Sequence, residues 1–105
     1  MVWARGRRRS RIVDEIVRRA YWDGFFDCLG GRDDESRVCE YASDSPYARY
    51  DECADLAFAA GVRYCRYVLG VREKNQKVPI GNWIDQKVPS KVYFEASELA
   101  RRIDR

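Results

Sequence analysis

Residues 10–31, SRIVDEIVRRAYWDGFFDCLGG, decide the fold. Ile12, Val13, Ile16, Val17, Ala20, Tyr21, Gly24, Phe25, Cys28 and Leu29 recur at steps of three and four, the spacing that puts side chains on one face of an α-helix. Ser10 stands where its hydroxyl can accept from the free amides of a first turn, and Gly30-Gly31 stands where a helix ends cheaply in positive φ. A helix over about 10–29 follows. Gly24 lies inside it, where glycine costs about 1 kcal/mol against alanine. That cost is accounted for if another backbone passes close by.

Outward from this stretch the sequence supplies a partner for it. Ser45-Pro46 has the form of a helix cap followed by proline in the first turn, and Tyr50, Cys53, Ala54, Ala57, Phe58, Gly61, Tyr64, Cys65 and Val68 continue on one face until Gly70. The spacing predicts a helix over about 46–69, with Ala54, Ala57, Ala60 and Gly61 small enough for close approach. An antiparallel helical hairpin crossing near Gly24 and Gly61 is the expected scaffold. The polar stretch Arg32–Asp44 between them reads as a loop, with Val38, Cys39 and Tyr41 able to pin it to the core.

Beyond Gly70 the tetrapeptide QKVP occurs at 76–79 and again at 86–89, bracketing IGNWID. Its two prolines exclude one continuous helix, so an extended or turn segment is expected. Two copies are too few for a solenoid. Ser90 then opens a C-terminal helix over about 90–104, with Val92, Ala96, Leu99 and Ile103 on one face; a strand over Val92–Phe94 is the alternative. The chain therefore reads as mainly α and as one domain over 1–105, preceded by a basic arm at 1–9.

The 105 residues are enough for one core and too few for a second. A hydrophobic share of 46% with three Trp, seven Tyr and four Phe argues against disorder. No apolar run approaches the roughly 20 residues that span a bilayer, and the Arg-rich start is followed by charged helix, so no membrane partner and a cytoplasmic location are expected. Four cysteines, Cys28, Cys39, Cys53 and Cys65, contain no Cys-x-x-Cys pair. Free thiols are the expectation for a reducing compartment, with a Cys28–Cys53 disulfide as the alternative.

The net charge of +3 conceals segregation. Residues 1–20 carry net +5, residues 21–55 net −7 and residues 56–105 net +5, and sixteen of the twenty bases are Arg. Arg forks match phosphates and stack on bases. Histidine is absent, which removes the commonest general base and the Ser-His and Cys-His nucleophile pairs. No glycine-rich phosphate loop occurs, and the acidic run around Asp33, Asp34 and Glu35 misses the spacing of a calcium loop. Neither catalysis, a cofactor nor a metal is therefore expected.

Arg5, Arg7, Arg8, Arg9, Arg11, Arg18 and Arg19, with Trp22 for stacking, form the expected nucleic-acid contact surface. An alternative is an inhibitor or adaptor of the kind carried by phages and mobile elements. It would bind a host protein through the acidic surface of Asp33, Asp34 and Glu35 or through Trp83. Self-association through the small-residue stripe is also open.

RAYWDGFFDCLGGRDDESRVCEY, Arg19 to Tyr41, resembles the ribosome modulation factor family of small bacterial proteins. The similarity rests on Arg19-Ala20, Gly24 with Phe25, Leu29, Gly31-Arg32, Cys39 and Tyr41, and on Gly61 and Arg63 in the second helix, so that it covers residues 19–66. Glu40 stands where that family has proline and Val62 where it has tryptophan, and residues 70–105 have no counterpart. The resemblance implies a pair of helices and binding to ribosomal RNA. RNA or the ribosome is accordingly the expected partner, in a regulatory and non-enzymatic role.

Overall fold

A computed structural model describes residues 10–32, 34–37, 41–74 and 87–104. Arg5, Arg7, Arg8 and Arg9 of the arm, Asp33, Val38, Cys39 and the segment 75–86 with Trp83 lie outside the described residues. Three α-helices, and no strand among the described residues, make the chain mainly α: α1 Arg11–Leu29, α2 Asp51–Lys74 and α3 Ser90–Ile103.

Helix α1 begins and ends as its sequence dictates. Ser10 Oγ accepts from Val13 N–H at 3.4 Å. At the other end Gly31 takes φ +103°, Arg32 N–H donates to the Asp27 carbonyl and Gly31 N–H to that of Cys28, both at 3.0 Å. This pair of bonds satisfies two carbonyls the helix would otherwise leave open. Val13, Ile16, Val17, Ala20, Tyr21, Gly24, Phe25 and Cys28 are buried along one face.

Helix α2 is shifted from the expected range at both ends. Ser45 Oγ accepts from Tyr47 N–H at 3.2 Å just ahead of a short 3-10 turn, Ala48–Tyr50, whose cap position is Tyr47, and the α-helix starts only at Asp51. Gly70 does not end it. A single glycine costs a helix about 1 kcal/mol but breaks no hydrogen bond, and Val71 to Lys74 carry α2 onward.

The two glycines mark the crossing. A Cβ on Gly24 would overlap the Phe58 carbonyl oxygen, and one on Gly61 would overlap that of Tyr21. Backbone meets backbone there. The direction of α2, however, corrects the expected antiparallel hairpin. Cys28 and Cys65, each four residues beyond its glycine, are hydrogen-bonded through their thiols. In an antiparallel pair they would diverge by roughly 12 Å along the axes at 1.5 Å per residue. The helices therefore cross in the same sense. The connection from Gly30 to Tyr50 is long enough to run back past α1 before α2 begins, which a tight hairpin loop is not.

Helix α3 packs antiparallel to the start of α2: Cys53 Sγ donates to the Ala96 carbonyl at 3.4 Å, and the Tyr50 hydroxyl donates to Asp104 Oδ1 at 3.0 Å. Its buried face is Val92, Ala96 and Ala100, with Leu99 and Ile103 only partly covered. The small side chains of Ala96 and Ala100 leave room for α2 against the α3 backbone, where Cys53 reaches the Ala96 carbonyl. Ser90 is the first helical residue and caps nothing; Pro89 holds the cap position and accepts from Val92 N–H at 3.0 Å.

Candidate nucleic-acid interface

Helix α1 buries one face and offers the other. Arg11 and Arg18, seven residues apart, fall in line on the exposed side with Glu15 between them, and exposed Arg19 adjoins Arg18. Ion pairs among the described residues engage Arg32, Arg37, Arg49, Arg63, Arg66, Lys91 and Arg101. Arg11, Arg18 and Arg19 take part in none of them. The chain places them directly after the arm that carries Arg5, Arg7, Arg8 and Arg9.

Trp22 is placed differently from its expected stacking role. It is half-buried, edge-on to Tyr21 at 5.2 Å and to Phe25 at 5.4 Å between ring centres. Tyr64 of α2 stacks on Tyr21 at 6.1 Å and lies 5.6 Å from Phe25, so the aromatic cluster fastens α1 to α2. The exposed ring next to it is Phe26, with nearly half its surface open at 48%.

The acidic stretch spends much of its charge inside the molecule. Arg37, whose side chain is only 9% exposed, donates through Nη1 to Asp51 Oδ1 at 2.6 Å and to Asp55 Oδ1 at 2.9 Å. Burial works against the charge on Arg37, and the two carboxylates outweigh it, so that its pKa rises. Glu35 faces Arg66 at 2.9 Å and Arg63 at 3.6 Å. Asp34 accepts from Ser36 N–H at 2.9 Å, and that bond holds its carboxyl below the usual range. Of the residues expected on an acidic contact surface, Glu35 is thus tied to α2 and Asp34 closes a local turn. The segment that reads as an acidic face is largely a set of straps.

These straps bound a cleft of about 460 Å³. Arg19, Asp23, Phe26 and Asp27 of α1 form one wall, Arg32, Arg37 and Tyr41 of the connecting segment the other, and Ala20 and Phe58 the floor. The Arg37 guanidinium lies 5.3 Å over the Tyr41 ring, and Tyr47 packs on Tyr41 at 5.5 Å. A smaller recess of about 120 Å³ continues toward Glu15, Ile16 and Tyr47, with Arg19 and Tyr41 lining both spaces. Sequence reasoning missed the cleft. Its only signal was Arg37, the one base between Asp33 and Asp44, with Asp51 and Asp55 one helical turn apart to receive it.

Cys28, Cys53 and Cys65 are buried free thiols. The Cys28–Cys53 disulfide considered from the sequence is not formed: Cys28 faces Cys65, and Cys53 faces Ala96. Burial pushes the Cys53 thiol up to about 11 and the Cys65 thiol up to about 12, so neither is a thiolate at neutral pH. Among the described residues no three His, Cys, Asp or Glu side chains gather as for a metal ion, and no helix is long and apolar enough to cross a membrane. Comparison with protein families, curated proteins and solved structures found no match to this chain.

Proposed function

We propose that the protein is a non-catalytic regulator that binds RNA through the exposed face of α1 and the arm preceding it. One observation carries this reading: Arg11, Arg18 and Arg19 project from a helix outside every ion pair among the described residues, where Arg32, Arg37, Arg49, Arg63, Arg66 and Arg101 are paired. Unengaged guanidinium groups in a row suit phosphates spaced along a strand. Arg5, Arg7, Arg8 and Arg9 extend the same charge toward the N-terminus. The resemblance to the ribosome modulation factor family makes ribosomal RNA the first target to try.

A gel-shift experiment at about 50 mM salt, where phosphate contacts are strong, tests this directly. The wild type retards ribosomal RNA, and a variant with Arg7, Arg8, Arg9, Arg11, Arg18 and Arg19 replaced by Ala does not. RNA that runs unshifted with the wild type removes the reading. A protein partner captured equally before and after nuclease treatment would favour a protein-binding adaptor instead.

A further inference from the structure

The exposed side of α1 does not end with its arginines. Phe26 follows Arg18 by eight residues and Arg19 by seven, about two turns, so it stands on the same side of the helix as the arginine row. At 1.5 Å per residue it lies roughly 10–12 Å along the axis from those two residues, a span that one short strand covers. The ring is held from the protein side: Phe25, which is fully buried, meets it edge-on at 5.5 Å, and Trp22 lies 6.3 Å away. Nearly half of Phe26 nevertheless stays open to solvent, at 48%. Trp22, the ring expected to stack on a base, is the support, and Phe26 is the surface that it helps to present.

Charge changes along this side of the helix. Arg11, Arg18 and Arg19 occupy its first half, whereas Asp23 and Asp27 flank Phe26, three residues before it and one after. Carboxylates repel a phosphate but not a neutral base, so the first half suits the backbone of a nucleic acid and the ring suits a base. We infer that α1 takes single-stranded RNA, with phosphates on Arg18 and Arg19 and one unpaired base stacked on Phe26. In a duplex the base faces are closed against one another and the ring has nothing to stack on; an unpaired base offers its face. Stacking of this kind tolerates any base, so no side chain has to read the base edge. The inference rests on RNA being the partner and adds the strand state that the site accepts.

Fluorescence anisotropy with a labelled RNA of about ten nucleotides, alone and annealed to its complement, tests it. The wild type is expected to bind the single strand more tightly than the duplex. Phe26→Ala is expected to weaken single-strand binding by about tenfold and to leave duplex binding unchanged. Phe26→Tyr, which keeps a ring face, is expected to hold the wild-type affinity, and Phe26→Leu, apolar but without a ring, to fall with Phe26→Ala. Arg18→Ala is expected to weaken binding to both RNAs. Circular dichroism checks the fold of each variant, and Phe26→Leu, which keeps an apolar side chain against Phe25, decides the matter if Phe26→Ala unfolds. Equal or tighter binding of the duplex, wild-type single-strand affinity in Phe26→Leu, or a loss shared equally by the duplex overturns the stacking site and leaves RNA binding standing. Binding of neither RNA by the wild type overturns both.

Discussion

The Gly61 α-carbon lies against the backbone carbonyl of Tyr21, so close that a methyl group there would overlap the oxygen. The reciprocal contact, Gly24 against Phe58, makes this a crossing of two bare backbones. Neither side can yield by rotating a side chain. Gly61→Ala is therefore expected to destabilise the protein by about 3 kcal/mol, in the upper range for forced overpacking, as read from urea unfolding. Gly70 is the control: nothing lies within 4 Å of a Cβ built there, and it is helical. Gly70→Ala is expected to raise stability by about 0.5–1 kcal/mol.

Arg37 ties the connecting segment to α2 through Asp51 and Asp55 while lying under Tyr41. Arg37→Ala leaves two carboxylates of α2 facing each other without their cation. A loss of about 2 kcal/mol is expected, less than for a fully buried pair because Asp55 is half exposed. Lysine should not restore it, since an ammonium is a compact, strongly hydrated charge that does not stack as the guanidinium does. Limited proteolysis should show earlier cleavage in the 34–47 region for both variants.

The buried thiols set a pH limit on stability. Cys53 and Cys65 titrate near 11 and 12 in the fold, against an ordinary 9.0 once unfolded, so the folded state holds their protons more tightly. That contribution is complete below pH 9 and is lost as pH climbs toward 11 and 12. Burial moves the Tyr21 hydroxyl in the same direction. The urea midpoint should fall between pH 8 and pH 10.5 by an amount equivalent to about 1–2 kcal/mol per thiol. Cys65→Ala, though less stable at pH 8, should fall less over the same interval. An equal fall in variant and wild type would remove Cys65 from the cause.

How far the fold was legible in the sequence follows from what kind of signal each part carries. Periodicity and the two glycines sufficed for α1, for most of α2 and for their contact, because apolar spacing and a glycine's missing side chain are properties of single residues in order. The direction of α2 was not legible, since small residues permit close crossing at either polarity and only the path from Gly30 to Tyr50 decides it. Helix ends drifted where the cue was ambiguous: Gly70 has the residue type of a stop without the backbone conformation, and Ser45 holds Tyr47 in the segment ahead of a 3-10 turn instead of capping an α-helix. On α3 the buried residue is Ala100 more than Leu99, because position on the helix face, not side-chain size, decides which residue meets the core. Of the interface, the exposure of Arg11, Arg18 and Arg19 followed from their opposition to the apolar stripe. The pairing of Glu35 with Arg63 and Arg66, and the cleft behind it, depend on contacts between distant residues that charge counting cannot resolve.

The arginine row on α1 makes a quantitative demand on salt dependence. Each phosphate contact to a single strand contributes about 0.7 to the slope of log affinity against log salt. Anisotropy titrations of a single-stranded ribosomal RNA fragment between about 50 and 300 mM salt should therefore give a steep slope for the wild type, and one shallower by about 2 when Arg11, Arg18 and Arg19 are all replaced by Ala. No binding by the wild type at the lowest salt, or an unchanged slope in the triple variant, would contradict the assignment of this face to RNA.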